Sequence, residues 1–178
     1  SFTADGIPVL LHDATIDRTS DGTGAVKEMT YEELLQYDFG SWKGSEYAGT
    51  KIPTFDEFMS LCKSIGLHAY IELKSNDEYT EEQIAQIVRI VNSKGMRGHV
   101  TYISFNKLFL HYVKKVDKQA RLGYLLSDLT QFDAEAVKEL RTGVNEVFID
   151  VEYQGLTDAK INMCIDENIP LEIWTVND

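Results

Sequence analysis

Two places in this sequence hold side chains whose types and spacing suit proton transfer or phosphoryl chemistry. The first is His12, which closes the apolar run 9–11 and is followed by Asp13. An imidazole there can move protons near neutral pH, and a neighbouring carboxylate can fix its tautomer. The alternative is a half-buried histidine hydrogen-bonded at a strand end. The second is Glu72, flanked by Ile71 and Leu73 and followed by Lys74. Alternation along a strand sets Tyr70 and Glu72 opposite to Ile71 and Leu73. If the two aliphatic residues pack outward on helices, Glu72 points into a sheet crevice or barrel interior. A carboxylate is costly to bury there unless a cation or metal compensates. Lys74, on the same face, either forms a structural ion pair with Glu72 or holds a phosphate oxygen. His68, His99 and His111 share no close spacing of the kind that places two metal ligands on one element, and they read as structural.

These residues need a scaffold, and the chain spells one out. Thr54 stands three before Glu57 as a capping box, Phe58, Leu61, Cys62 and Ile65 recur at helical spacing, and Gly66 supplies a left-handed stop. The strand 68–73 (HAYIEL) follows. The pattern then repeats. A helix capped by Thr80 and Gln83 carries Ile84, Ile87, Val88 and Val91, and Gly95 ends it before the strand 100–104 (VTYIS). A helix marked by Phe109, Tyr112, Val113 and Val116 precedes the strand 121–126 (RLGYLL). A short helix capped by Asp133 precedes 146–151 (EVFIDV). A helix over 157–168, with Ile161, Cys164 and Ile165 inward, precedes 170–176 (PLEIWTV).

Strands alternating with helices imply parallel pairing through right-handed crossovers, hence an α/β protein. Periodicity alone leaves an open doubly wound sheet and a barrel equally possible, and in both the chemistry sits at the C-terminal ends of the strands. The residues at those ends are Glu72, Lys74, Ser104, Asp150, Glu152, Trp174, Asn177 and Asp178.

The first fifty residues follow another pattern. Asp5-Gly6 signals the turn of a small hairpin over 3–13. Residues 14–53 are rich in glycine and hold one short helix capped by Thr30 and Glu33. Phe39, Trp42 and Tyr47 among those glycines favour an ordered flap over a linker.

Composition bounds the function. In 178 residues, 29 acidic against 17 basic side chains give a net charge of −12. That balance, with no basic cluster, argues against nucleic-acid binding and against an anionic lipid surface. No apolar run approaches the roughly 20 residues that span a bilayer. Cys62 and Cys164 are expected as reduced thiols in the core.

The segments 3–13 (TADGIPVLLHD), 15–24 (TIDRTSDGTG), 52–58 (IPTFDEF), 70–74 (YIELK), 103–105 (ISF) and 174–178 (WTVND), in this order, resemble the glycerophosphodiester phosphodiesterases. The resemblance implies a (β/α)8 TIM barrel of the PLC-like phosphodiesterase type, with 1–178 as a single barrel domain and 14–53 as the family's inserted flap. It implies hydrolysis of glycerophosphodiesters to glycerol 3-phosphate and an alcohol, with attack by the glycerol 2-hydroxyl and a cyclic phosphate that water opens. It implies Mg²⁺ or Ca²⁺ held by carboxylates and two histidines as general acid and base. Residue by residue, His12 matches the second of these, the acid toward the leaving alcohol. Glu72 matches a metal-binding carboxylate, Lys74 a substrate-binding cation beside the phosphate, and Trp174 an aromatic wall of the substrate pocket.

The family's opening His-Arg-Gly strand, Pro-Glu-Asn loop and Glu-x-Asp strand have no counterpart here, nor has its last helix and strand. The expectation is a barrel incomplete in strand 1, most of strand 2 and strand 8. Against the roughly 250 residues of a whole barrel, 178 is short. Such a wedge exposes two sheet edges and its inner face, which a homo-oligomer would cover. Two functions follow from different classes: a metal-dependent phosphodiesterase in the parent protein, or a catalytically silent barrel with a binding or assembly role. The second is expected of the 178 residues in isolation.

Overall fold

The computed structural model describes residues 1–74, 78–128, 134–141 and 146–174. Five strands, β1 (Ala69–Glu72), β2 (Val100–Ser104), β3 (Arg121–Leu126), β4 (Glu146–Glu152) and β5 (Leu171–Trp174), pair in chain order in one sheet, every pair parallel. Before them lie the short α1 (Tyr31–Leu34) and α2 (Phe55–Ile65), and between them run α3 (Glu81–Ser93), α4 (Lys107–Val116), α5 (Ala134–Arg141) and α6 (Asp158–Asp166). Sequential strand order with a helix between each successive pair of strands is the wall of a (β/α)8 barrel, open here between β1 and β5.

Local sequence explains the elements. Thr30, Thr54 and Thr80 each close a capping box with Glu33, Glu57 and Gln83, satisfying two orphan donors at each helix start. Gly66 ends α2 at φ +69°, in the left-handed region that costs an L side chain. Asp133, expected to cap α5, and 175–178 lie outside the described residues.

The core forms between the outer face of the sheet and the helices. Ile71, Leu73, Tyr102, Leu122, Val147, Ile149 and Val151 meet Met59, Cys62, Ile84, Val88, Phe109 and Val113 there. Cys62 and Cys164 are buried free thiols, as their positions implied. Four of the residues expected to face inward do not. Leu61 and Ile65 of α2 and Ile165 of α6 are more than half exposed, and Val116 of α4 is also exposed. In α2 the inward stripe is Phe55, Met59 and Cys62, one step round from the expected face. Leu61, Ile65 and Ile165 belong to the helices nearest the two open edges of the sheet, where no helix among the described residues covers the side facing the edge.

The inner face carries Tyr70, Glu72, Arg121, Gly123, Phe148, Asp150, Glu172 and Trp174, following strand alternation and register. A Cβ on Gly123 would sit 2.5 Å from the Phe148 ring and 2.8 Å from Ile103. The missing side chain is therefore what admits the Phe148 ring, and the Arg121 guanidinium packs over that ring at 5.0 Å.

Residues 14–53 have a second core of their own, built on Ile16, Val26, Leu34 and Ile52 with Val9 from the hairpin. Asp38 organises the outer loop. It accepts hydrogen bonds from the amides of Gly40, Ser41 and Gly49 and from the Ser41 hydroxyl, which together hold its carboxyl well below the usual carboxylate range. Phe39 packs on this core, while Trp42 and Tyr47 are exposed.

The lumen packing yields a stability test. In Gly123→Ala the new methyl must displace the Phe148 ring from beneath Arg121, so thermal or denaturant melts should show a loss of about 1–3 kcal/mol. An unchanged melt would mean that the ring is not confined as described.

Candidate active site

His12 is placed by a segment packed on both sides. Ile7, Val9 and Leu11 point into the flap core, and Leu10 points into the barrel core. The backbone is pinned along its length: Val9 N–H donates to Ser1 O at 2.9 Å, Leu10 N–H to Pro53 O at 3.1 Å, and Phe55 N–H to Pro8 O at 2.8 Å. Alternation carries the barrel-facing side onward from Leu10 to His12. Its ring stands 72% exposed, with Nδ1 2.8 Å from Asp13 Oδ1. Because a carboxylate only accepts, Nδ1 is the donor, and Nε2 is the nitrogen left for other work.

Asp13 is itself clamped by Arg18, whose Nε and Nη2 donate to its two oxygens at 2.7 and 3.0 Å. The guanidinium first, and His12 second, hold the Asp13 carboxyl well below its usual range. Asp13 is therefore a fixed anion beneath the imidazole. Arg18 was not singled out from sequence; its only signal was a cation five residues beyond Asp13 in the 15–24 segment.

Glu72 and Lys74 sit at the C-terminal end of β1. Ile71 and Leu73 are buried outward and Tyr70 is exposed on the inner face, so Glu72 faces inward as alternation required. The strand end is fixed beyond its last paired residue. Leu73 N–H donates to Ile103 O at 2.9 Å, and the buried Ser104 hydroxyl donates to Leu73 O at 2.7 Å. Lys74 Nζ lies 2.6 Å from Glu72 Oε2, with 19% and 27% of the two side chains exposed. The ion pair read from spacing is thus formed.

An open cleft of about 380 Å³ is lined by His12, Glu72 and Lys74 together with Ser1 and residues 9–11. Three of the four expected site residues thus share one concavity, although His12 and Glu72 are sixty positions apart. Trp174 is not among the residues lining this cleft. Its Nε1 donates to Asp150 O at 3.2 Å and its ring meets Phe105 edge-on at 5.8 Å, so it stands on the β4–β5 flank of the lumen. His68 bonds Thr101 at 2.8 Å, at the opposite end of the strands, and stays structural. Asn177 and Asp178 lie outside the described residues.

The 178 residues match the model of the glycerophosphoryl diester phosphodiesterase family from end to end, over 1–178. The chain belongs to this family. It is 33% identical to a glycerophosphodiester phosphodiesterase of Caldanaerobacter subterraneus over 70% of the chain and 51% of that protein. It is 29% identical to one from Bacillus subtilis over 99% of the chain and 64% of that protein. The chain therefore spans about half to two thirds of these relatives' lengths. Among solved structures, an Oleispira antarctica phosphodiesterase in complex with the product sn-glycerol-3-phosphate superposes with a TM-score of 0.82. That match is 24% identical and covers 99% of this chain and 70% of that one. A glycerophosphodiester phosphodiesterase from Agrobacterium tumefaciens gives a TM-score of 0.79 at 23% identity, covering 100% of this chain and 72% of that one. These likenesses establish the barrel fold of a glycerophosphoryl diester phosphodiesterase family member.

Another residue of the family member's lumen stands out electrostatically. Asp150 is only 7% exposed and its Oδ1 has no hydrogen-bond partner among the described residues. Burial first, then the charges of Glu172 and Glu72, push its pKa up to about 6. Because the folded value exceeds the unfolded one, the fold favours the protonated acid. This contribution is complete below the unfolded pKa near 3.8 and is lost as pH rises through about 6. Asp150→Asn should therefore be more stable than the parent at pH 7 by about 1–3 kcal/mol, with the gap closing toward pH 4. Paired denaturant melts at the two pH values measure it. A gap that does not change with pH would contradict the burial argument.

Proposed function

We propose that this chain carries part of the catalytic cleft of a metal-dependent phosphodiesterase that hydrolyses glycerophosphodiesters to glycerol 3-phosphate and an alcohol. The observation that carries the reading is the single cleft shared by His12, Glu72 and Lys74. The names of the Caldanaerobacter and Bacillus relatives agree with it.

In this reading the glycerol 2-hydroxyl gives its proton to a general base as it attacks phosphorus, forming a cyclic phosphate that water later opens; the bond to the alcohol oxygen breaks, and that oxygen must leave with a proton. His12 supplies it. Asp13 holds the proton on Nδ1 and orients the ring, leaving Nε2 to face the leaving oxygen. Lys74 is the cation for a non-bridging phosphate oxygen. Its bond to Glu72 keeps it at the cleft wall, so a phosphate competes with a carboxylate already present.

Glu72 is the residue of this chain suited to a divalent cation. No group of three or more His, Cys, Asp or Glu among the described residues is placed to hold a metal ion. One carboxylate is nevertheless compatible with Mg²⁺, which is commonly bound by one or two carboxylates with substrate phosphate and water completing the shell. Mg²⁺ or Ca²⁺ there would polarise the phosphoryl group and offset its developing charge.

A silent barrel used for binding or assembly draws its support from the same ion pair, which neutralises the cleft without a ligand. The two readings part in the full-length protein that carries this chain. A phosphodiesterase releases glycerol 3-phosphate from glycerophosphodiesters and stops in chelator. Its His12→Ala variant loses on the order of 10²–10⁴-fold in kcat, the usual worth of acid–base catalysis, and its Glu72→Gln variant loses activity through the cation that Glu72 would hold. Undiminished turnover in both variants would remove these residues from the mechanism.

A further inference from the structure

The mechanism leaves one buried charge without a task. Alternation along β4 turns Asp150 to the inner face with Phe148, while Ile149 and Val151 are buried outward. Asp150 is more than nine-tenths buried and its Oδ1 is unpartnered among the described residues. The lumen cations seen among the described residues are already engaged. Arg121 bonds Glu146 at 2.9 Å and Glu172 at 2.8 Å, and Lys74 bonds Glu72 at 2.6 Å. Glu172, the strand partner of Asp150 on β5, further accepts from the Tyr70 hydroxyl at 3.1 Å. A buried carboxylate that cannot borrow a neighbour's cation is stabilised by one brought from outside.

The walls beside it suit a particular kind of cation. The Trp174 indole is tethered to the Asp150 backbone through Nε1, and the half-buried Phe105 ring stands edge-on to it. Aromatic rings attract cations through the negative potential of their faces, and they do so most effectively for soft, weakly hydrated alkylammonium groups. A small inorganic cation would want oxygen ligands that the rings do not provide. A neutral polyol would leave the Asp150 charge uncompensated.

We propose that Asp150, with Trp174 and Phe105, forms a subsite for an alkylammonium group, the cationic end of the alcohol released from a diester. The proposal rests on the phosphodiesterase reading for the remainder of the substrate. It makes Asp150 a specificity determinant on the β4–β5 flank, opposite the Glu72–Lys74 flank where the phosphate is held.

The test uses the full-length protein carrying this chain, with choline as the probe and 3,3-dimethylbutan-1-ol, its uncharged isostere, as the control, both titrated calorimetrically. Choline should bind at least about tenfold more tightly than the alcohol, Asp150→Asn should abolish the preference, and Trp174→Leu should reduce it. Because asparagine removes a buried charge, that variant is expected to fold. Equal affinities, or a preference that survives Asp150→Asn, would overturn the proposal, the latter by showing that the cation sits elsewhere. The kinetic counterpart is the ratio of kcat/KM for glycerophosphocholine over glycerophosphoglycerol, which should fall about tenfold in Asp150→Asn. A parent protein that hydrolyses neither diester refutes the phosphodiesterase reading, and the choline titration still decides the subsite.

Discussion

The site depends on one segment being packed from two sides. Residues 7–11 send Ile7, Val9 and Leu11 into the flap core and Leu10 into the barrel core, so neither body can shift without exposing the other's hydrophobic surface. A slip of one residue would exchange the two faces and turn His12 away from Glu72 and Lys74. The backbone bonds to Ser1, Pro53 and Phe55 hold that register. Burial along this segment thus sets where the proton donor stands. The flap acts as the second wall that makes a two-faced strand possible outside the main sheet.

On the other side of the cleft the parallel ladder does the same work. Glu72 is inward because Ile71 and Leu73 are outward, and Leu73 is fixed to β2 through Ile103 and Ser104 past the end of β1. The charges are then graded along the lumen. At the N-terminal end of the strands Arg121 joins Glu146, Glu172 and Tyr70 into a bonded floor. Toward the mouth, among the described residues, the pairing thins out, with Lys74 on Glu72 and no partner on Asp150 Oδ1. A closed network below and open valences above are what separate structural polarity from polarity available to a ligand.

How much of this could be read from the sequence depended on the range of the interaction. Capping boxes at Thr30, Thr54 and Thr80 and the left-handed Gly66 are decided within four residues, and all four are present in the fold. The inward turn of Glu72 needed only strand alternation. Leu61, Ile65 and Ile165 were misjudged because helical spacing identifies an apolar stripe but not which neighbours exist to cover it, and these residues lie next to open edges. The Arg18 clamp on Asp13 depends on the path of a loop that has no periodicity. Trp174 was expected beside the other site residues, yet strand order places it four strand pairings from Glu72.

Asp150 shows most clearly why long-range context decides function. From sequence it is one acid among 29, at the end of a strand that alternates as a barrel strand should. Its distinction arises in the folded lumen, where Arg121, whose register partner Glu146 lies four residues before Asp150 on β4, is taken by Glu146 and Glu172. The same register that consumes the cation brings Trp174 against the Asp150 carbonyl. With the one guanidinium engaged by Glu146 and Glu172, Asp150 stays a buried anion on a strand whose backbone meets the Trp174 indole, and that combination of charge and π-surface is the proposed basis for binding a cation at this end of the barrel.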